Sequence, residues 1–185
     1  MKHFLVTVSA AALLAAPAQA DDVIETLESA IEAYQEGDIS YATEELAYAQ
    51  QLLKEMRSDE LGSFLPDAPE GWTRTLDDSA ASGYAMMGGG TAVAAEYSNE
   101  VGEQFTITIA LDSPMLAMVA PMIKSASAMG AKLERVGREK FANQNGELMG
   151  LIDNRIFVQA SGADVDVMVD VLETMDFKSL EDFGR

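Results

Sequence analysis

The hydrophobic period first changes along this 185-residue chain at Leu65-Pro66-Asp67-Ala68-Pro69-Glu70-Gly71. Before that stretch apolar residues recur every three or four positions; after it they alternate in twos. A helix buries one stripe at a period of about 3.6, whereas a strand buries every second side chain. One chain must therefore build helices first and a sheet after. Two prolines and a glycine end helices and favour extended chain, so residues 63–71 are expected to be a linker. On this reading residues 21–62 form one region and residues 72–185 the other.

The first region is expected to be a helical hairpin. Ile24, Leu27, Ile31 and Tyr34 recur at helical spacing, as do Ala42, Leu46, Ala49, Leu53 and Met56. Gly37-Asp38 supplies the stop of one helix and the N-cap of the next. The run Ala30, Tyr34, Gly37-Asp38, Tyr41-Ala42, Leu46, Ala49 resembles a single tetratricopeptide repeat. That resemblance implies two helices packed closely through small residues. A solenoid needs several stacked repeats, and no second copy follows.

In the second region Trp72, the only tryptophan, is expected to plug the core. Val93, Ala95 and Tyr97 alternate, and Phe105, Ile107, Ile109 and Leu111 share one face of a strand. Ser113-Pro114 suits a helix start, and that helix runs towards Met129-Gly130, bent or broken at Pro121. A meander of about three strands follows, with turns at Asn145-Gly146 and Asp153-Asn154. A last helix begins near Ala163-Asp164, and Phe177, Leu180 and Phe183 pack the tail. The fold class is α+β: a helical hairpin, then an antiparallel sheet with two helices covering a face. The element order of residues 65–183 is similar to that of PsbP-like domains, in which a Gly-Trp opens a strand.

The N-terminus carries an address. Lys2-His3, an apolar run from Phe4 to Ala16, and Ala18-x-Ala20 before Asp21 read as a signal peptide over residues 1–20, cleaved between Ala20 and Asp21. The run is too short to span a bilayer, which takes about 20 residues. No cysteine follows it, so no lipid anchor is expected. Removing Lys2 leaves 11 basic residues against 31 acidic ones, a balance of −20. That field repels phosphate backbones and excludes nucleic acid as a partner. The only histidine, His3, leaves with the leader, and the chain has no cysteine. Ser-His-Asp and Cys-His catalysis, the usual zinc sites and thiol redox chemistry are excluded with them.

What remains are weak constellations. Met115, Met118 and Met122 lie at i, i+3 and i+7, and with Met86 or Met87 could offer soft thioether ligands to copper(I). The competing reading, ordinary core packing of the helix, is preferred. Gly88-Gly89-Gly90 reads as a turn or bulge rather than a phosphate loop. Asp164, Asp166 and Asp170 read as a helix start rather than a calcium loop.

The expected function is that of a periplasmic or secreted accessory protein. It binds another exported protein, or a second copy of itself, without catalysis and without a cofactor. Tyr34, Tyr41 and Tyr48 are the candidate interaction residues, since tyrosine is favoured in interfaces. The competing reading has the same tyrosines holding the hairpin to its own domain. A small-ligand or metal carrier with a pocket between sheet and helix is the alternative. An enzyme using carboxylates alone is a further one.

Overall fold

The computed structural model describes residues 18–77, 79, 83, 90–112, 115–126, 128 and 130–185, with the side chains of residues 18–20 and 115 left aside. The fold is α+β, and the chain divides into two compact units between Leu53 and Lys54. The expected cleavage point, between Ala20 and Asp21, falls in the first turn of the first helix.

The first unit is a helical hairpin. Helix α1 spans Ala18–Glu36, and α2 spans Ile39–Gly62 and crosses into the second unit. The turn between them is local chemistry. Gly37 takes φ +85°, the left-handed region that glycine enters without strain. The Gly37 amide donates to the Tyr34 carbonyl at 3.2 Å and the Asp38 amide to the Ala33 carbonyl at 2.9 Å, the bonding of a Schellman stop. The Asp38 carboxylate then accepts from the Tyr41 amide at 3.0 Å and caps α2.

The second unit is built on a seven-stranded sheet. Its strands are β1 (Trp72–Leu76), β2 (Thr91–Asn99), β3 (Gln104–Leu111), β4 (Lys132–Val136), β5 (Glu139–Gln144), β6 (Glu147–Ile152) and β7 (Ile156–Ser161). They lie in the order β1-β2-β3-β7-β6-β5-β4, every neighbour antiparallel. Helix α3 (Met115–Ser125) joins β3 to β4, and α4 (Val165–Leu172) and α5 (Phe177–Asp182) follow β7. The second meander has four strands where about three were expected. Both of its expected turns are present: Asn145-Gly146 (φ 56° and 90°) and Asp153-Asn154 (φ 48° and 57°) each place two residues at positive φ, as type I′ hairpins require.

Register fixes which side chains share a face. Ile107 stands opposite Ala95 and Ala160, and Ile109 opposite Val93 and Val158. That face carries the core, closed by Met168 and Leu172 of α4 and Leu180 of α5. Leu61, near the end of α2, lies in the same cluster. Trp72 is half-buried at its margin, edge-on to Phe105 at 5.1 Å.

Two expectations change. The stretch read as a linker is packed: Leu65 is 3% exposed and joins the core, and the carbonyls of Leu65 and Pro66 both accept from the Arg74 guanidinium. Proline signals the end of a helix; it does not signal detachment. The helices also occupy both faces of the sheet rather than one. Ile123 and Lys124 of α3 share a groove with Leu133, Ala142 and Leu151, which project from the face opposite the main core.

Candidate functional site

Two stripes run along each helix of the hairpin, and they differ in side-chain size. The buried stripe is small: Val23, Thr26, Ala30 and Ala33 on α1 with Ala42 and Ala49 on α2. Thr26 satisfies its own hydroxyl by donating to the Asp22 carbonyl at 2.8 Å. Small residues let two helix backbones approach closely, and these positions hold the hairpin shut.

The large apolar residues lie elsewhere. Ile24, Leu27, Ile31 and Tyr34 each sit one position after a buried residue of α1, a rotation of about 100°. Ile39, Leu46 and Leu53 sit three before or four after Ala42 and Ala49, about 50° forward of the seam. The helices run antiparallel, so forward rotation on both turns toward the same side. One broad face of the hairpin therefore collects seven large apolar side chains, 37–68% exposed.

The three candidate tyrosines do not form one patch. Tyr34 belongs to the apolar face and is 68% exposed. Tyr41 and Tyr48 each precede a buried alanine, which rotates them backward to the opposite face. The Ser29 hydroxyl, itself just before Ala30, donates to the Tyr41 hydroxyl at 3.5 Å on that side. The spacing of the isoleucines and leucines was visible in the sequence. The small residues Ala30, Ala42 and Ala49 were legible as packing positions too; what went unread was that they leave the large apolar stripe exposed.

The methionine site fares differently. Met86 and Met87 lie outside the described residues, as does the Met115 side chain. Met118 and Met122 share the outer face of α3, 75% and 50% exposed. The preferred reading of them as core is thus overturned: α3 packs through Leu116, Val119 and Ile123 instead. Among the described residues no group of three or more His, Cys, Asp or Glu side chains is placed to hold a metal ion. Asp164 takes the N-cap position of α4, although its side chain makes no capping bond.

Two clefts flank Arg74. One, about 700 Å³, lies between Lys54, Ser58 and Asp59 of α2 and Leu76 and Val93 of the sheet. The other, about 870 Å³, lies between residues 63–69 and Asp170, Thr174 and Met175. Arg74 serves both as a wall, its head held by two backbone carbonyls and by Asp67 at 3.7 Å. Beside it, burial pushes the Tyr97 phenol well above its ordinary range, against the opposing pull of the Arg74 charge. A phenol held neutral and hydrogen-bonded is a structural group, not a poised acid.

No described helix is long and apolar enough to cross a membrane. No family model, curated protein or solved structure matches the chain.

Proposed function

We propose that this chain is an exported accessory protein that works by binding another polypeptide through the apolar face of its helical hairpin, without catalysis. The observation that carries the reading is the exposure of Ile24, Leu27, Ile31, Tyr34, Ile39, Leu46 and Leu53 on one side. Together they present on the order of 700 Å² of side-chain surface, above the few hundred Å² usual for the largest patch of a monomer and close to one partner's share of a standard interface. Within the hairpin these side chains are not needed for helix–helix packing, which Ala30, Ala33, Ala42 and Ala49 perform. The leader-like N-terminus supports a periplasmic or secreted site of action. The loss of the lone histidine and the lack of cysteine support binding over catalysis.

The test is photo-crosslinking in the producing cell, with a reactive residue placed at Ile31 or Leu46, or at Tyr48 on the opposite face. Adducts to a polypeptide from the first two positions and not the third are expected. Adducts from neither, or equally from both faces, overturn the reading.

A further inference from the structure

The hairpin's charge narrows what can sit on its apolar face. Residues 21–53 contain nine acidic side chains and no lysine or arginine. Glu25, Glu28 and Glu32 are exposed along the outer side of α1, beside the apolar stripe. Two such hairpins placed face to face would set nine negative charges against nine, with no cation on either hairpin to offset them. The occupant must be apolar in the middle and cationic around it.

A surface of that kind exists on the sheet unit. The chain's cations are few but gathered: Lys124, Lys132, Arg135, Arg138 and Lys140 fall within one short stretch. Two of them line a single groove, and a third stands beside it on the same sheet face. Lys124 comes from α3 and Lys140 from β5, and Arg135 stands opposite Lys140 in the β4–β5 register. The groove, about 310 Å³, has an apolar floor of Ile123, Leu133, Ala142 and Leu151, and no carboxylate among its lining residues. Among the described residues none of these three cations has a carboxylate partner, whereas Lys132 is paired with Glu134 at 2.8 Å. The exposed methionines Met118 and Met122 extend the apolar surface along α3. Methionine's flexible, polarisable side chain suits a contact surface that must adapt to its partner.

From this complementarity we infer that the partner is a second copy of this chain: the acidic apolar face of one hairpin docks on the cationic α3–β4–β5 groove of another molecule. The inference rests on the proposed binding role and names its partner. Such a contact joins two different surfaces, so it closes as a dimer when exchanged reciprocally and otherwise grows into longer assemblies. Exposed charges steer and select it, and the buried apolar area supplies most of the affinity.

Sedimentation of the purified full chain, with residues 1–20 removed, tests the inference. Concentration-dependent association is expected. A groove variant carrying Lys124→Glu, Arg135→Glu and Lys140→Glu is expected to weaken it about tenfold or more. A hairpin variant carrying Glu25→Lys, Glu28→Lys and Glu32→Lys is expected to do the same. Mixing the two variants restores association, because each then carries the surface the other needs, and a cross-link from Ile31 to Met122 joins chains of different isotopic label. A chain that stays monomeric into the hundreds of micromolar, or associates independently of the groove charges, overturns the inference. If it is monomeric yet Ile31 still cross-links to another polypeptide in the cell, only the identity of the partner falls. If Ile31 cross-links to nothing, the binding role falls with it.

Discussion

Tyr97 donates its phenol hydrogen to the carbonyl of Pro66 at 2.7 Å, from a side chain with no exposed surface. The same carbonyl accepts from Arg74 at 3.1 Å, and the Tyr97 ring stacks on Phe105 at 4.6 Å. A central strand thus holds the proline-rich stretch by its backbone. Tyr97→Phe keeps the stack and removes one bond, while Arg74 keeps the carbonyl satisfied. The expected cost is about 1 kcal/mol, read as a lower urea midpoint with an unchanged slope. Burial raises the folded-state pKa of this phenol, so the folded form resists ionisation that the unfolded chain undergoes near pH 10. The native protein therefore loses stability as pH rises past about 10, and the gap to Tyr97→Phe narrows there.

Gly150 stands opposite Phe141 in the β5–β6 register, on the core face. A methyl group at Gly150 would come within 2.6 Å of the Phe141 ring, which is fully buried and packed on Phe177 at 6.0 Å. The ring has nowhere to retreat without disturbing α5. Gly150→Ala is expected to cost about 1–3 kcal/mol by overpacking, measured by the same denaturation.

The hairpin separates packing from display, and a pair of substitutions checks it. Ala49 is 1% exposed at the seam between the helices. Ala49→Leu forces the helices apart, with an expected cost of about 1–3 kcal/mol and faster amide exchange across residues 23–52. Leu46→Ser, three positions away on the exposed face, is expected to change stability by no more than about 0.5 kcal/mol. Equal costs at both positions would mean that the large stripe, not the small one, closes the hairpin.

These elements also show where sequence reading succeeds. Gly37-Asp38, Asn145-Gly146 and Asp153-Asn154 were legible because the chemistry of a turn is local: positive φ and a short side-chain acceptor decide it within four residues. The alternation around Ile107 and Ile109 was legible because a central strand must bury one face completely. Periodicity, however, says that a stripe wants a partner without saying which. Ile24, Leu27 and Ile31 marked a helix without naming what it faces, Met118 and Met122 read as core, and both sets are exposed. The groove around Lys124 and Lys140 was invisible for another reason: α3 and β5 are brought together by the tertiary fold, which local periodicity does not encode. Strand β1 was legible only through the Gly-Trp opening of the PsbP-like element order, because Arg74 interrupts its alternation and spends its guanidinium on the carbonyls of Leu65 and Pro66.

Two carboxylates on the sheet unit should respond to pH with opposite signs. Partial burial, and then the charge of Glu181, raise the pKa of Glu139. A raised carboxylate costs stability once the unfolded chain ionises near pH 4.3, and the cost is complete above the folded pKa. Asp153 is the reverse: the hydrogen bond from Arg185 at 2.6 Å, with its charge and that of Arg155, holds the carboxyl below its ordinary range. Its contribution is present above the unfolded value near pH 3.9 and disappears as pH falls through the folded one. Glu139→Gln is therefore expected to stabilise the protein at pH 7, by about 0.5 kcal/mol or less given its partial exposure. Asp153→Asn is expected to destabilise at pH 7. Urea midpoints taken from pH 7 down to pH 2 should show each variant converging on the native protein, Glu139→Gln from above and Asp153→Asn from below. A Glu139→Gln advantage that persists at pH 2 would show that packing, not ionisation, sets its effect.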